Sequence, residues 1–189
     1  MTILRPATLA DAATLARNRI AAWHAAYRGH LPDAVLDAME LAGETDRWTA
    51  ALTEIQVEAT QGSGPHRFAL LALDDASTVH GYVVAGPYRD DQGPSAGPGV
   101  GEVYAIYVDP PSWGQGYGTR LLTAAAEGLA ASGYLAVALW VLESNQAARA
   151  FYAARGWALD DAIGHCREAV DAPEVRYRHL VAGSGPLGG

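Results

Sequence analysis

The stretch Gly101-Glu-Val-Tyr-Ala-Ile-Tyr-Val-Asp-Pro-Pro-Ser-Trp-Gly-Gln-Gly-Tyr-Gly118 decides how this chain folds. Val103 to Val108 is a nearly unbroken β-branched and aromatic run of strand length, and the Pro110-Pro111 pair behind it cannot extend a ladder. A strand therefore ends near Asp109. Gly114, Gly116 and Gly118 then lead into Thr119 to Ser132, where Leu121, Leu122, Ala125 and Leu129 recur at helical spacing. Glycine lets a backbone approach a ligand closely, and the first turn of a helix offers outward N–H groups at the positive end of its dipole. Strand, glycine turn and helix start together describe a cradle for phosphate.

Three phosphate cradles compete for this pattern. A P-loop needs a lysine after its glycines, and the chain has no lysine. A dinucleotide fingerprint needs G-x-G-x-x-G directly after a strand, whereas Thr119 stands three residues after Gly116 and the connection Asp109 to Trp113 precedes Gly114. The third cradle is the [QR]-x-x-G-x-[GA] turn of the GNAT superfamily of acyl-CoA N-acyltransferases, which Trp113-Gly114-Gln115-Gly116-Tyr117-Gly118 resembles, with Trp113 where arginine or glutamine is commoner. A second block agrees. Leu139 to Asn145, followed by Ala148, Phe151, Tyr152, Gly156 and Trp157, is similar to that family's strand and N-x-x-A-x-x-[FL]-Y-x-x-x-G-[FW] pattern, in the family's order. Leu4-Arg5-Pro6-Ala7-Thr8 and the region from Trp23 to Asp33 also look like the start of family members, so the resemblance covers Met1 to about Leu180.

Working outward to the N-terminus, Met1 to Arg5 forms a short edge strand, and Thr8 with Asp11 starts a helix in capping-box style. Ala16, Ile20, Trp23 and Tyr27 share one face of that helix, Gly29 stops it, Leu31-Pro32 opens another through Met39, and a third runs from Glu44 to about Thr60. Gly62 to Pro65 breaks the helical region. Arg67 to Leu73 and Thr78 to Ala85 read as a hairpin across Asp74 to Ser77, and Pro87 to Gly99 as a mobile loop. Beyond the glycine turn, Tyr134 to Leu142 is apolar on both faces and belongs in mid-sheet. Ser144 or Asn145 caps a helix from Gln146 to Arg155, Gly156 ends it, and Trp157 to Leu159 and Val175 to Val181 are the last strands. The expected architecture is α+β, three layers with a mostly antiparallel sheet, as one domain over residues 1–182 and a frayed tail over 183–189.

Composition narrows the partners. With 189 residues and half of them apolar, the chain can bury a sizeable core, and it has neither an apolar run of membrane length nor a signal-peptide layout. It reads as a cytoplasmic protein that engages no membrane. A formal charge of −8 argues against nucleic acid and suits a cationic amine acceptor. The lone Cys166 reads as structural, and six scattered histidines without ligand spacing imply no metal.

The resemblance implies an N-acetyltransferase with acetyl-CoA as cosubstrate. On that footing the amides of Trp113, Gly114, Gln115, Gly116, Tyr117, Gly118 and Thr119 hold the pyrophosphate, with Asn145 and Phe151 beside the cofactor. The strand ending at Val108 splays from the strand ending at Leu142, and backbone groups of Ile106, Tyr107 and Val108 hydrogen-bond the pantetheine arm. Tyr152 matches the family's tyrosine beside the thioester sulfur, a hydrogen-bond donor first and an acid second. Glu102 is the candidate base, sharing a sheet face with Tyr104 and Ile106 by alternation, its pKa raised by burial. Trp23, Tyr27 and Tyr104 are candidates for the acceptor cleft. Transfer of a longer acyl group and a catalytically silent acyl-CoA-binding module are the alternatives, and the family implies that a homodimer is common without anything in this chain deciding it.

Overall fold

The computed structural model describes residues 2–61, 66–91, 93–166 and 169–181. The break at 62–65 and the tail at 183–189 lie outside them. The elements in chain order are β1 (Ile3–Pro6), a 3-10 turn (Leu9–Asp11), α1 (Ala12–Tyr27), α2 (Asp33–Asp37) and α3 (Leu41–Gln61), then the β2 (Phe68–Leu73) and β3 (Val79–Pro87) hairpin. The quoted stretch supplies β4 (Val100–Val108) and α4 (Tyr117–Ala131), followed by β5 (Ala136–Leu142), α5 (Gln146–Ala153), β6 (Ala158–Cys166) and β7 (Ala169–Leu180).

The sheet runs β1-β2-β3-β4-β5-β7-β6, and every neighbouring pair is antiparallel except β4 with β5. A parallel pair needs a crossover, and α4 is that crossover. Its Leu121, Leu129 and Ala125 are fully buried against Val83, Val137 and Leu139 on one face of the sheet. The opposite face of β2 to β4 is covered by α1 and α3, which bury Leu15 and Leu52 against Leu71 and Tyr82. Truncating a leucine as enclosed as Leu121 to alanine costs about 2–5 kcal/mol, so both helical layers are strongly tied to the sheet.

Local chemistry sets the helix ends. Asp11 Oδ2 accepts from Thr8 N at 2.8 Å, and Asp11 is also held by Arg5 at 2.7 Å, which closes the capping box and pulls the Asp11 carboxyl down to about 2. One 3-10 turn precedes α1 there. Gly29 leaves the helix with φ +83°, and Asn145 Oδ1 accepts from Ala148 N at 3.0 Å to cap α5.

Three readings from the sequence change. The last two strands are longer than Trp157 to Leu159 and Val175 to Val181, because β6 and β7 pair with each other from Ala158↔Arg178 to Cys166↔Ala169. The loop after Pro87 is tied down at several points: Arg176 donates to Tyr88 Oη at 3.0 Å and to the Pro94 carbonyl at 2.6 Å, and Ala96 is buried. The alternation in β4 is broken. Ala85 pairs with Val103 and Val84 with Ala105, which leaves Tyr104 as an extra residue in a bulge. Tyr104, Ala105 and Tyr107 consequently pack on the α1 and α3 side, while Val103, Ile106 and Val108 pack toward α4. Glu102 and Ile106 therefore do not share a face.

Candidate active site

The bulge sits where β4 parts from β5. Their pairing covers only Val100↔Ala136 to Val103↔Leu139, after which β4 follows β3 to Val108 and β5 follows β7 to Leu142↔Glu174. The resulting V opens into a cavity of about 450 Å3 whose wall includes Tyr104 to Val108, Trp113, Tyr152 and Asn145. A splayed pair leaves backbone groups on its inner edges without ladder partners, the requirement for binding an extended arm as an extra strand.

At the mouth of the V the glycine turn has the geometry an anion needs. Gly114 and Gly116 have φ +77° and +90°, and no atom would meet a Cβ at either position, so glycine is required there for its backbone conformation. Gly118 needs smallness instead, since a Cβ would lie 3.3 Å from Phe151 Cζ. The first intrahelical bond of α4 runs from Arg120 N to Gly116 O at 3.1 Å, so the amides of Tyr117, Gly118 and Thr119 precede the helical ladder. Two of the seven amides expected to hold the pyrophosphate are used within the turn: Trp113 N donates to the Pro110 carbonyl at 3.1 Å and Gln115 N to the Ser112 carbonyl at 3.4 Å.

The side chain of Trp113 also has its own task. Its Nε1 donates to the Val108 carbonyl at 2.7 Å, capping the end of β4 and engaging one of the backbone groups read from sequence as a pantetheine partner. Gln115 Nε2 likewise turns inward, to the Pro111 carbonyl at 3.1 Å. A cation reaches the turn from elsewhere in the chain. Arg155, just past α5, donates from Nε to Thr119 Oγ1 at 2.9 Å and lies 3.7 Å over the Phe151 ring. The turn is braced from behind by His80, which stacks on Tyr117 at 4.5 Å and bridges Ser112 Oγ at 2.8 Å and Asp74 Oδ2 at 3.0 Å. Neither Arg155 nor His80 was singled out in the sequence, because their partners lie 36 and 32 residues away.

Tyr152 is buried on α5, with Phe151 edge-on at 5.3 Å and Tyr177 at 6.0 Å, and it is one of the residues lining the same cavity. Burial pushes its pKa well above the ordinary phenol value, with the neighbouring Tyr107 and Glu174 adding to the rise. The sequence left open a site that lowers this pKa; the fold raises it, so the phenol keeps its proton at neutral pH.

Glu102 is almost wholly buried and lines the cavity, but its oxygens are occupied by Arg89: Oε2 accepts from Arg89 N at 2.8 Å, and Oε1 accepts from the guanidinium at 2.5 and 3.2 Å. Both of its oxygens are thus engaged by Arg89, which pairs with its charge. Arg89 in turn lies 3.9 Å above the Tyr104 ring, and Tyr104 donates to the Pro87 carbonyl. Trp23 and Tyr27 meet edge-on at 5.0 Å on the α1 side of the cavity, and Tyr27 hydrogen-bonds Tyr107, whose side chain the bulge turns toward them.

Glu174 is the cavity carboxylate that sequence reading missed. It is buried on β7 across from Leu142, lines the cavity, and its charge bears on the phenols of both Tyr27 and Tyr152. Its segment, Asp171-Ala-Pro-Glu-Val, has no apolar alternation, so only cross-strand pairing brings it to the site.

The comparisons with known proteins agree with this geometry. The family model described as Acetyltransferase (GNAT) family matches residues 23–157. The chain belongs to that family. It is 28% identical over 145 residues to YuaI, an uncharacterised N-acetyltransferase of Bacillus subtilis (strain 168), covering 77% of this chain and 74% of that protein. It is 38% identical over 109 residues to a mycothiol acetyltransferase of Nocardioides sp. (strain ATCC BAA-499 / JS614), covering 57% of this chain and about a third (34%) of that relative's length. The fold is similar to the PaiA N-acetyltransferase of Thermoplasma acidophilum in complex with coenzyme A, with TM-score 0.74 and 18% identity over 96% of this chain and 99% of that one. It is also similar to a phosphinothricin acetyltransferase of Sinorhizobium meliloti in complex with acetyl-CoA, with TM-score 0.67 and 19% identity over 97% and 90% of the two chains. Among the described residues no helix is long and apolar enough to cross a membrane.

Proposed function

We propose that this protein transfers the acetyl group of acetyl-CoA to a primary amine by direct attack, with no covalent enzyme intermediate. The observation that carries the reading is the placement of a glycine turn with pre-ladder amides at the mouth of the β4/β5 splay, with the Tyr152 phenol in the wall of the same cleft. The amides of Gly114 and of Gly116 to Thr119 hold the diphosphate, helped by the Arg155 guanidinium, and the inner edge of Ile106 to Val108 carries the pantetheine arm.

Two side chains then act on the reacting atoms, and a third positions the cleft wall. An alkylammonium must lose a proton before it can attack, and Glu174 receives it, forming neutral amine and a carboxylic acid. The nitrogen lone pair forms the N–C bond and the C–S bond breaks, its electron pair staying on sulfur. Tyr152 donates a hydrogen bond to that sulfur as charge develops there and keeps its own proton, while the second proton on nitrogen passes through water to the departing thiolate, giving the amide and free thiol. Glu102 has a positioning role: it anchors Arg89 over Tyr104 and so fixes the cleft wall.

The test is thiol release from acetyl-CoA in the presence of primary amines, run beside a direct measurement of acetyl-CoA affinity. Turnover with an amine is expected. Tight binding of acetyl-CoA with no thiol release for any amine would instead make the protein a silent binding module, and release from longer acyl-CoA alone would reassign the donor.

A further inference from the structure

The glycine turn stands on a side-chain assembly that the transfer chemistry does not use. No atom lies within 4 Å of where a Cβ would stand at Gly114 or Gly116, so side-chain packing does not fix the two residues whose positive φ shapes the turn. Glycine is free to leave that conformation, and the shape of the turn depends on the anchors on either side.

Ser112 is the first anchor. Its N–H donates to the Asp109 carbonyl at 2.8 Å and its carbonyl accepts from Gln115 N at 3.4 Å, so displacing Ser112 moves the turn. Its hydroxyl, on a residue 4% exposed, lies 2.8 Å from Nδ1 of His80 on β3. His80 Nε2 in turn donates to Asp74 Oδ2 at 3.0 Å. A carboxylate can only accept, so in the neutral ring Nε2 carries the proton and Nδ1 accepts from the Ser112 hydroxyl. Asp74 is itself held by the turn between β2 and β3, where its Oδ1 accepts from Ala76 N at 3.0 Å and Thr78 N at 2.8 Å.

Two further contacts of His80 reach the same segment. Its carbonyl accepts from Asp109 N at 2.8 Å, and its ring stacks on Tyr117 at 4.5 Å with 19° between the planes. Tyr117 opens α4, and its amide precedes the helical ladder. His80 therefore grips the segment at its start, at Ser112 and at the helix that ends it, from a strand paired on both sides.

We propose that His80 and Ser112 are positioning residues for the diphosphate: they hold the main-chain donors of the glycine turn in place and thereby set the preference for a coenzyme A thioester over a donor without diphosphate. The proposal rests on the acetyl-transfer reading above. A turn already held in its binding shape loses little freedom when the ligand arrives. Neither His80 nor Ser112 is among the residues lining the cavity with Tyr152, so their effect falls on donor recognition and not on the chemical step.

The experiment follows thiol release from acetyl-CoA and from S-acetylpantetheine, which has the same thioester and arm but no diphosphate. The parent protein is expected to favour acetyl-CoA by at least about 10²-fold in kcat/KM, the scale of a few charge-assisted hydrogen bonds. Ser112→Ala removes one oxygen and is expected to lower kcat/KM for acetyl-CoA by about 10-fold, through KM, with kcat within about threefold and S-acetylpantetheine within about twofold of the parent. His80→Phe keeps a ring over Tyr117 but removes both side-chain hydrogen bonds and leaves the buried Ser112 hydroxyl unpaired, so the same loss should reach about 10- to 100-fold. A donor ratio within about twofold of the parent's in either variant would overturn the proposal and leave the acetyl-transfer reading standing. Equal kcat/KM for both donors in the parent would overturn the diphosphate assignment of the turn, and the proposal with it. No thiol release from either donor would overturn the acetyl-transfer reading itself.

Discussion

Replacing Tyr152 by phenylalanine removes one oxygen and leaves the ring among Phe151, Trp157 and Tyr177 at 5.3, 6.3 and 6.0 Å. Packing is conserved, so the variant isolates the hydroxyl. A phenol near 10 is a weaker acid than a thiol near 8.5, which makes complete proton transfer to thiolate uphill by about 2 kcal/mol in water. Burial raises the Tyr152 pKa further, so the gap widens in the fold. The hydroxyl therefore works as a donor to developing negative charge, whose loss costs roughly 10- to 10³-fold in kcat, or about 1.4 to 4 kcal/mol. Acetyl-CoA affinity should change by no more than about threefold, since the diphosphate is held elsewhere. Thiol release under saturating amine reads kcat, and titration calorimetry reads the affinity. Because the raised pKa keeps the phenol protonated through and beyond the ordinary phenol range, Tyr152 ionisation should not produce an alkaline limb below about pH 10. A Tyr152→Phe enzyme turning over within threefold of the parent would refute the donor role.

Glu174→Gln should lower kcat/KM near neutral pH by about 10²-fold, whereas Glu102→Gln should cost less than about tenfold; the reverse result would return the base to Glu102. Gly116→Ala meets no atom, so its cost is backbone strain at φ +90°, about 1–2 kcal/mol, read as lost stability in denaturant or as roughly 5- to 30-fold weaker acetyl-CoA binding. Asp11→Asn should cost about 1 kcal/mol at pH 7, a figure kept low because Arg5 is 39% exposed. The Asp11 carboxyl is lowered to about 2 from 3.8, so its stabilisation is present above the unfolded value and lost as pH falls toward 2; the gap between parent and variant in denaturant midpoint should close over that window.

What could be read ahead of the fold was what neighbours in sequence encode. The end of β4 at Val108, the glycine turn, the face of α4 and the Asn145 cap are all set by residues within one or two helical turns of one another. The Thr8 and Asp11 box was legible for the same reason, although Arg5 as its third member was not. The features that reshape the site come from pairing at a distance. Nothing in Glu-Val-Tyr-Ala-Ile announces that Tyr104 will bulge, because the extra residue is defined only against Val84 and Ala85 on β3. That bulge is why strict alternation assigned Ile106 to the wrong face and missed the side chain of Tyr107 as part of the wall beside Trp23 and Tyr27. Glu102 read as a base because its partner Arg89 sits in a proline- and glycine-rich loop with no pattern of its own. Glu174 was hidden in β7, whose polar sequence becomes a strand only by pairing with β5 and β6.

The most direct measurement is a crystal structure of the protein with acetyl-CoA. The account predicts the diphosphate oxygens within hydrogen-bond distance of main-chain N–H groups between Gly114 and Thr119, the pantetheine arm beside Ile106 to Val108, and the Tyr152 hydroxyl within reach of the thioester sulfur. Diphosphate bound away from this turn, or a sulfur remote from the Tyr152 hydroxyl, would contradict it.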